Sequence, residues 1–205
     1  MKRKFIVTIA RQYGSGGLMI AKRLSDTLNI PFYDKTLLQI AAKKSGLGEN
    51  FFEKADEDKN FLTSGMFTDA FNTNPIFDDL LFKIQSDVIR QIAQRESAIF
   101  VGRCADYILR GHPDCISIFI YADKKDKIKR ISLKNNVSQK EAEKLIGHKD
   151  KERAKYYNYY TQKIWGAAES YNLCVDSSIL GIEETSSLIR YFIEKKLKQR
   201  YNCCL

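Results

Sequence analysis

Gly14, Ser15, Gly16 and Gly17, within the stretch IARQYGSGGLMIAKRL at residues 9–24, form a turn suited to holding phosphate. Successive backbone N–H groups in a glycine turn make a concave anion site, and the N-terminus of a following helix adds its positive dipole end. Laid on the pattern GxxxxGK[ST], Arg11 takes the first place and Gly16 the second glycine; Gly17 replaces the lysine and Leu18 the hydroxyl residue. The loop therefore lacks both the cation over the outer phosphates and a side-chain ligand for magnesium. Arg11, at the end of the preceding apolar run, is the compensating cation, because its guanidinium can fork onto phosphate oxygens. Two plainer alternatives stay open: a surface arginine beside the loop, and glycines that serve only tight packing.

The elements that must position these residues are legible from periodicity. FIVTIA at residues 5–10 is a continuous β-branched run of the kind buried on both faces of a parallel sheet. After it Leu18, Ala21, Leu24 and Leu28 recur at helical spacing, so the segment reads strand, glycine turn, helix. Pro31 ends that helix, and a short strand at Phe32 and Tyr33 leads to Asp34, an N-cap for a helix over residues 35–44. Residues 46–75 show no firm period and predict short helices with a mobile loop around 64–74. A long amphipathic helix follows from Pro75. SAIFVG (97–102), CISIFIYA (115–122) and YNLCVD (171–176) are three further strands, and residues 182–200 a closing helix. Strands alternating with helices predict an α/β fold around a five-stranded, mostly parallel sheet. About sixty residues between the second and third strands and a charged helical stretch at 138–166 interrupt the alternation on the sheet edge where ligands bind, and so read as candidate substrate lids.

Composition narrows the class. The 205 residues are 44% hydrophobic, enough for one core. No apolar run is long enough to span a membrane and no signal peptide is legible, so a cytoplasmic protein is expected. Five cysteines, including the adjacent Cys203 and Cys204, suggest neither a disulfide framework nor a metal site. His112 and His148 have no partner spacing. A net charge of +9 calls for an anionic partner without choosing among phosphorylated metabolites, nucleic acid and acidic surfaces.

With GRCADYIL at 102–109 and CISIFIYADKKDKIKR at 115–130 in that order behind YGSGG and PFYDK, the chain resembles the cytidylate kinase-like family over about residues 4–195. The resemblance implies a three-layer α/β/α P-loop NTPase fold in one domain. Its core would span about 1–34, 96–134 and 167–205, a helical acceptor-binding insertion about 35–95, and the lid about 135–166. It also implies a kinase that uses ATP and Mg2+ to phosphorylate CMP, dCMP or a related small acceptor. Gly14, Ser15, Gly16, Gly17 and Leu18 fall on the loop for the donor's phosphates, with Arg11 beside them. Arg103 falls on the arginine that holds the acceptor's phosphate. Cys104 stands where better-characterised relatives carry an aspartate, and Asp106 lies two residues on. Asp34 and Lys35 lie in the turn that opens the acceptor site, Arg130 begins the lid segment and Arg153 belongs to it.

Arg11, Arg103, Arg130 and Arg153 would converge on the transferring phosphoryl group, where three oxygens share growing negative charge. Arg153 is also read as part of a solvated helix face, and the aromatics of YYNYYTQKIW (156–165) as packing rather than base stacking. The expected partners are small-molecule nucleotides, with self-association into a homo-oligomer left open and membranes excluded. A nucleic-acid module is disfavoured, since the basic residues follow the lid and no recognition motif. A non-catalytic nucleotide-binding or regulatory protein that keeps the loop is the alternative.

Overall fold

The computed structural model describes residues 4–34, 36 and 75–202. Lys35, the helix expected over 35–44, the segment 46–74 and Cys203 and Cys204 lie outside the described residues. Five parallel strands, β1 (Ile6–Arg11), β2 (Phe32–Tyr33), β3 (Ala98–Val101), β4 (Cys115–Tyr121) and β5 (Leu173–Asp176), form one sheet in the order β2-β3-β1-β4-β5. The helices are α1 (Gly17–Leu28), α2 (Pro75–Arg95), α3 (Ala105–Ile108), α4 (Lys124–Asn135), α5 (Gln139–Thr161) and α6 (Ser177–Asn202).

Both sheet faces are covered, which is why the strands read as unbroken apolar runs rather than alternating ones. On one face Ile6 and Phe100 pack with Val88 and Ile89 of α2, Ala105 of α3 and Tyr157 of α5. On the other, Val7 and Ile9 pack with Ile20 and Leu24 of α1 and Ile189 and Ile193 of α6. This is the expected three-layer α/β/α architecture. β1 is paired on both sides, in register with β3 from Ile6 opposite Ala98 and with β4 up to Arg11 opposite Ile120. Its side chains from Ile6 to Ala10 are buried, each isoleucine contributing about 1.5–3 kcal/mol. The strand that ends in Arg11 and feeds the glycine turn is thus the central strand of the sheet.

Two helices differ in detail from the sequence reading. α6 begins with one turn at Ser177, breaks at Gly181 (φ 71°, ψ −176°) and then runs on over the predicted residues. Lys124–Asn135 is a helix of its own, α4, packed on α5 through Ile131, Ala142 and Ile146. Arg130 therefore rides on a helix fastened to the one that carries Arg153. Ser138 caps α5 with a complete capping box to Glu141, fixing where that helix starts. Among the described residues no helix is long and apolar enough to cross a membrane.

Candidate active site

Left-handed backbone at two glycines shapes the loop. Gly14 (φ +82°) and Gly16 (φ +78°) adopt a conformation that a β-carbon disfavours, and a β-carbon on Gly16 would also collide with Ile182. Gly16 caps α1 and has no side chain to occupy the amides of its first turn. Ser15 is wholly buried; its hydroxyl donates to the Gln12 carbonyl at 2.9 Å and accepts from the Gly17 amide at 3.4 Å, so it shapes the loop from within. Leu18, 43% exposed on the first turn of α1, presents only carbon.

Gly17 has a different reason to be glycine. A β-carbon there would lie 2.7 Å from Cβ and 2.9 Å from Cγ of Arg11. A β-carbon on Gly102, at the end of β3, would collide with Nη1 of the same arginine. The Arg11 side chain thus runs between two glycines, one in the loop and one in the adjacent strand turn, and uses the space a lysine at 17 would need.

The turn after β3 carries the second half of the site. Gly102 (φ 78°), Arg103 (φ 57°) and Cys104 (φ 54°) form three consecutive left-handed residues, which for the two that carry side chains costs about 1–2 kcal/mol each. Strain of this kind persists only where the surroundings over-determine it, and it concentrates at functional sites. The turn brings the Arg103 guanidinium over the Tyr156 ring of α5, 5.1 Å from its centroid. Cys104 is buried, and burial pushes its thiol well above the ordinary range, with Asp106 adding to the rise and Arg103 opposing it. Asp106 accepts from the Tyr157 hydroxyl at 2.7 Å. Burial raises its pKa, against the pull of that bond and of backbone amides.

Two adjoining clefts result. One, about 290 Å³, lies along the glycine loop and is lined by Arg11, Gly14, Gly17, Leu18, Arg130 and Arg153, among others. The other lies under the β3 turn and is lined by Arg11, Arg103, Cys104, Asp106, Arg153 and Tyr156, among others. Arg11 and Arg153 are common to both, Arg130 borders only the first, and Arg103 only the second. Asp34 closes β2 at the sheet edge and lines neither cleft. The aromatic run in and just after α5 packs as expected: Tyr160 stacks on Phe82 with centroids 4.0 Å apart, and Trp165 meets Phe119 edge-on.

Side chains from α4, α5 and α6 hold the loop in place. Arg153 Nη1 donates to the Arg11 carbonyl at 2.9 Å, and Arg130 donates to the Gly14 carbonyl. Lys127, buried on α4, donates to Oε1 of Gln12 at 2.9 Å, and Asp150 on α5 accepts from the Tyr13 amide at 2.6 Å. From the far side Ser177, fully buried, donates to the Ser15 carbonyl at 2.6 Å. Helical spacing of Lys127 with Arg130, Ile131 and Lys134 is the one sequence signal that could have drawn attention to α4.

For magnesium the described residues supply little: no three His, Cys, Asp or Glu side chains gather into a metal-binding group, and Leu18 has no oxygen. A phosphate chain fits better, since the loop offers uncapped amides flanked by arginines.

The chain is similar to known proteins over most of its length. The model of the cytidylate kinase-like family matches residues 6–179. A cytidylate kinase of Methanopyrus kandleri is 23% identical over 207 aligned residues, 95% of each chain. The crystal structure of an uncharacterized protein from Eubacterium ventriosum superposes with a TM-score of 0.72 at 30% identity, covering 93% of this chain and 99% of that one. A gluconokinase from Sinorhizobium meliloti, 11% identical with a TM-score of 0.56 over 97% of this chain and 98% of its own, shares the P-loop kinase fold. A loop that opens a helix behind a central parallel strand, a Gly-Arg turn on the neighbouring strand, and a family match over most of the length place this chain in the cytidylate kinase-like family.

Proposed function

We propose that the chain is an ATP-dependent phosphotransferase of the nucleoside monophosphate kinase type, with CMP or dCMP as its acceptor. The observation that carries this reading is that Arg11 and Arg153 line both clefts, so two ligands, one in each, would meet at a shared pair of cations. ATP would lie with its phosphates along the glycine loop, under Arg130, and supply the γ-phosphoryl group. The acceptor's phosphate would sit against Arg103. An oxygen of that phosphate attacks the γ-phosphorus as the bond to the β–γ bridging oxygen breaks, and ADP leaves. Charge spreads over the three equatorial oxygens, and preorganised cations stabilise that state without reorganising.

Arg11 takes the part of the missing lysine. Its stem is fixed between Gly17 and Gly102, so little rotamer freedom remains to be lost on binding. Arg153 is carried by α5, which would serve as the lid, with α4 moving beside it. Asp106 and Cys104 would face the acceptor's base and sugar, and Asp34 and Lys35 would lie toward the acceptor-binding insertion. Magnesium would arrive on ATP, coordinated by phosphate oxygens and water, and no residue is assigned to it. Partners would be small nucleotides in the cytoplasm.

The test is ADP release from Mg-ATP by the purified chain with CMP, dCMP, UMP, AMP or GMP, against a control without acceptor. Turnover that depends on a cytosine nucleotide is the expected result. Retained ATP binding without acceptor-dependent turnover would instead indicate a nucleotide-binding protein that has kept the loop and lost catalysis.

A further inference from the structure

Four consecutive residues entering the glycine turn are each held by a different side chain from the α4–α5 pair. Arg153 donates to the carbonyl of Arg11, Lys127 to the side chain of Gln12, and Arg130 to the carbonyl of Gly14, while Asp150 accepts from the amide of Tyr13. Two of the four, Asp150 and Lys127, are charged groups of opposite sign whose side chains are only 18% and 11% exposed. Their mutual approach is 3.7 Å, too long for a hydrogen bond. Each spends its short contact on the loop instead: 2.6 Å from Asp150 to the Tyr13 amide and 2.9 Å from Lys127 to Gln12. Charge-assisted bonds of this length are the strong ones. A pair arranged only for mutual attraction would have closed the gap between its charges; this pair reaches past itself to the loop.

Gln12 passes the restraint on. Its Oε1 also lies 3.5 Å from the Ala122 amide, and its carbonyl takes the Ser15 hydroxyl, so a shift of Gln12 is felt at the centre of the turn. On α5, Asp150 and Arg153 stand one turn apart and face the same stretch of loop.

We infer that Asp150 and Lys127 are positioning residues that set the conformation of the phosphate loop, and that their attachment to α4 and α5 couples the placement of that helix pair to the readiness of the loop for phosphate. The effect on catalysis rests on the phosphotransferase reading above; the grip on the loop does not. If α5 moves away, the Tyr13 amide and Arg11 carbonyl lose their partners together and the loop is released.

The test separates the two. Amide exchange in the nucleotide-free, full-length chain, followed residue by residue by NMR, reads the grip; calorimetric titration with Mg-ATP reads its consequence. In Asp150→Ala, exchange at Tyr13 should rise and Mg-ATP affinity should fall, each by about tenfold or more, the scale of a lost hydrogen bond to a charged group. Exchange at Val7 and Ile9 in β1 should not change, which certifies the fold. Asp150→Asn, which keeps an oxygen acceptor, should preserve most of the Tyr13 protection, and Lys127→Met should act in the same direction as Asp150→Ala. Unchanged exchange at Tyr13 in Asp150→Ala overturns the proposal. So does unchanged affinity, and so does a gain in affinity, which would make Asp150 a competitor for a phosphate's place. A wild-type chain that binds no Mg-ATP yet shows the exchange change refutes the phosphotransferase reading and upholds the grip.

Discussion

The stem of Arg11 occupies the space that a side chain at Gly17 would need, its Cβ and Cγ within 2.9 Å of a β-carbon placed there. A side chain at 17 and the Arg11 stem in this position are therefore mutually exclusive.

Gly17→Lys should accordingly fail to raise phosphotransfer and should destabilise the chain by about 1–3 kcal/mol, the cost of overpacking a filled site. In Arg11→Gly/Gly17→Lys both close contacts, Cβ and Cγ, are gone, and turnover should exceed that of Arg11→Gly alone. Chemical denaturation and steady-state kinetics on the three variants check this; a stable Gly17→Lys with raised turnover would contradict it.

Ser177 joins the start of α6 to the loop by a buried hydroxyl on the Ser15 carbonyl. Ser177→Ala leaves a buried acceptor unpaired and should cost about 1–3 kcal/mol. Differential scanning calorimetry should show the lower Tm, and the KM for ATP should rise because the loop has lost its support from the start of α6.

Asp106 predicts an inverted pH dependence. Its folded pKa is raised, chiefly by burial, so its ionised form is the less favoured one in the folded chain. Its stability penalty is absent below the ordinary aspartate range, grows as pH rises from the ordinary value to the raised folded one, and is complete above it. Asp106→Asn, which still accepts from Tyr157, should be more stable than wild type at pH 7, and the gap should close as pH falls toward the ordinary aspartate value. Thermal melts from pH 3.5 to 8 measure it; a wild type more stable than the variant at pH 7 would show that the carboxylate is stabilised instead.

The fold and the two ends of the site were readable because they depend on local pattern. β-branched runs marked the strands, glycines flanking Ser15 marked the turn, and Arg103 followed a strand at the edge where ligands bind. What holds the loop was not readable. Lys127, Asp150 and Ser177 reach it from 115, 137 and 162 residues away, and nothing in a solvated-looking charge run or an ordinary serine distinguishes them. The burial of Lys127 comes from the packing of α4 on α5. Asp34 was assigned to the acceptor site by resemblance; it follows β2 at the sheet edge and lines neither of the two clefts. The collision at Gly17 also needed coordinates, since spacing records that a lysine is missing but not what fills its place.

The role of Arg11 is the central claim, and the rate of γ-phosphoryl transfer from Mg-ATP to CMP in wild type and Arg11→Ala tests it most directly. A fall in kcat of about 100-fold or more is expected in Arg11→Ala, the scale for losing one transition-state charge contact, with Arg103→Ala falling similarly. A rate in Arg11→Ala within about threefold of wild type, far below that scale, would show that the phosphoryl group is stabilised elsewhere and would contradict the account.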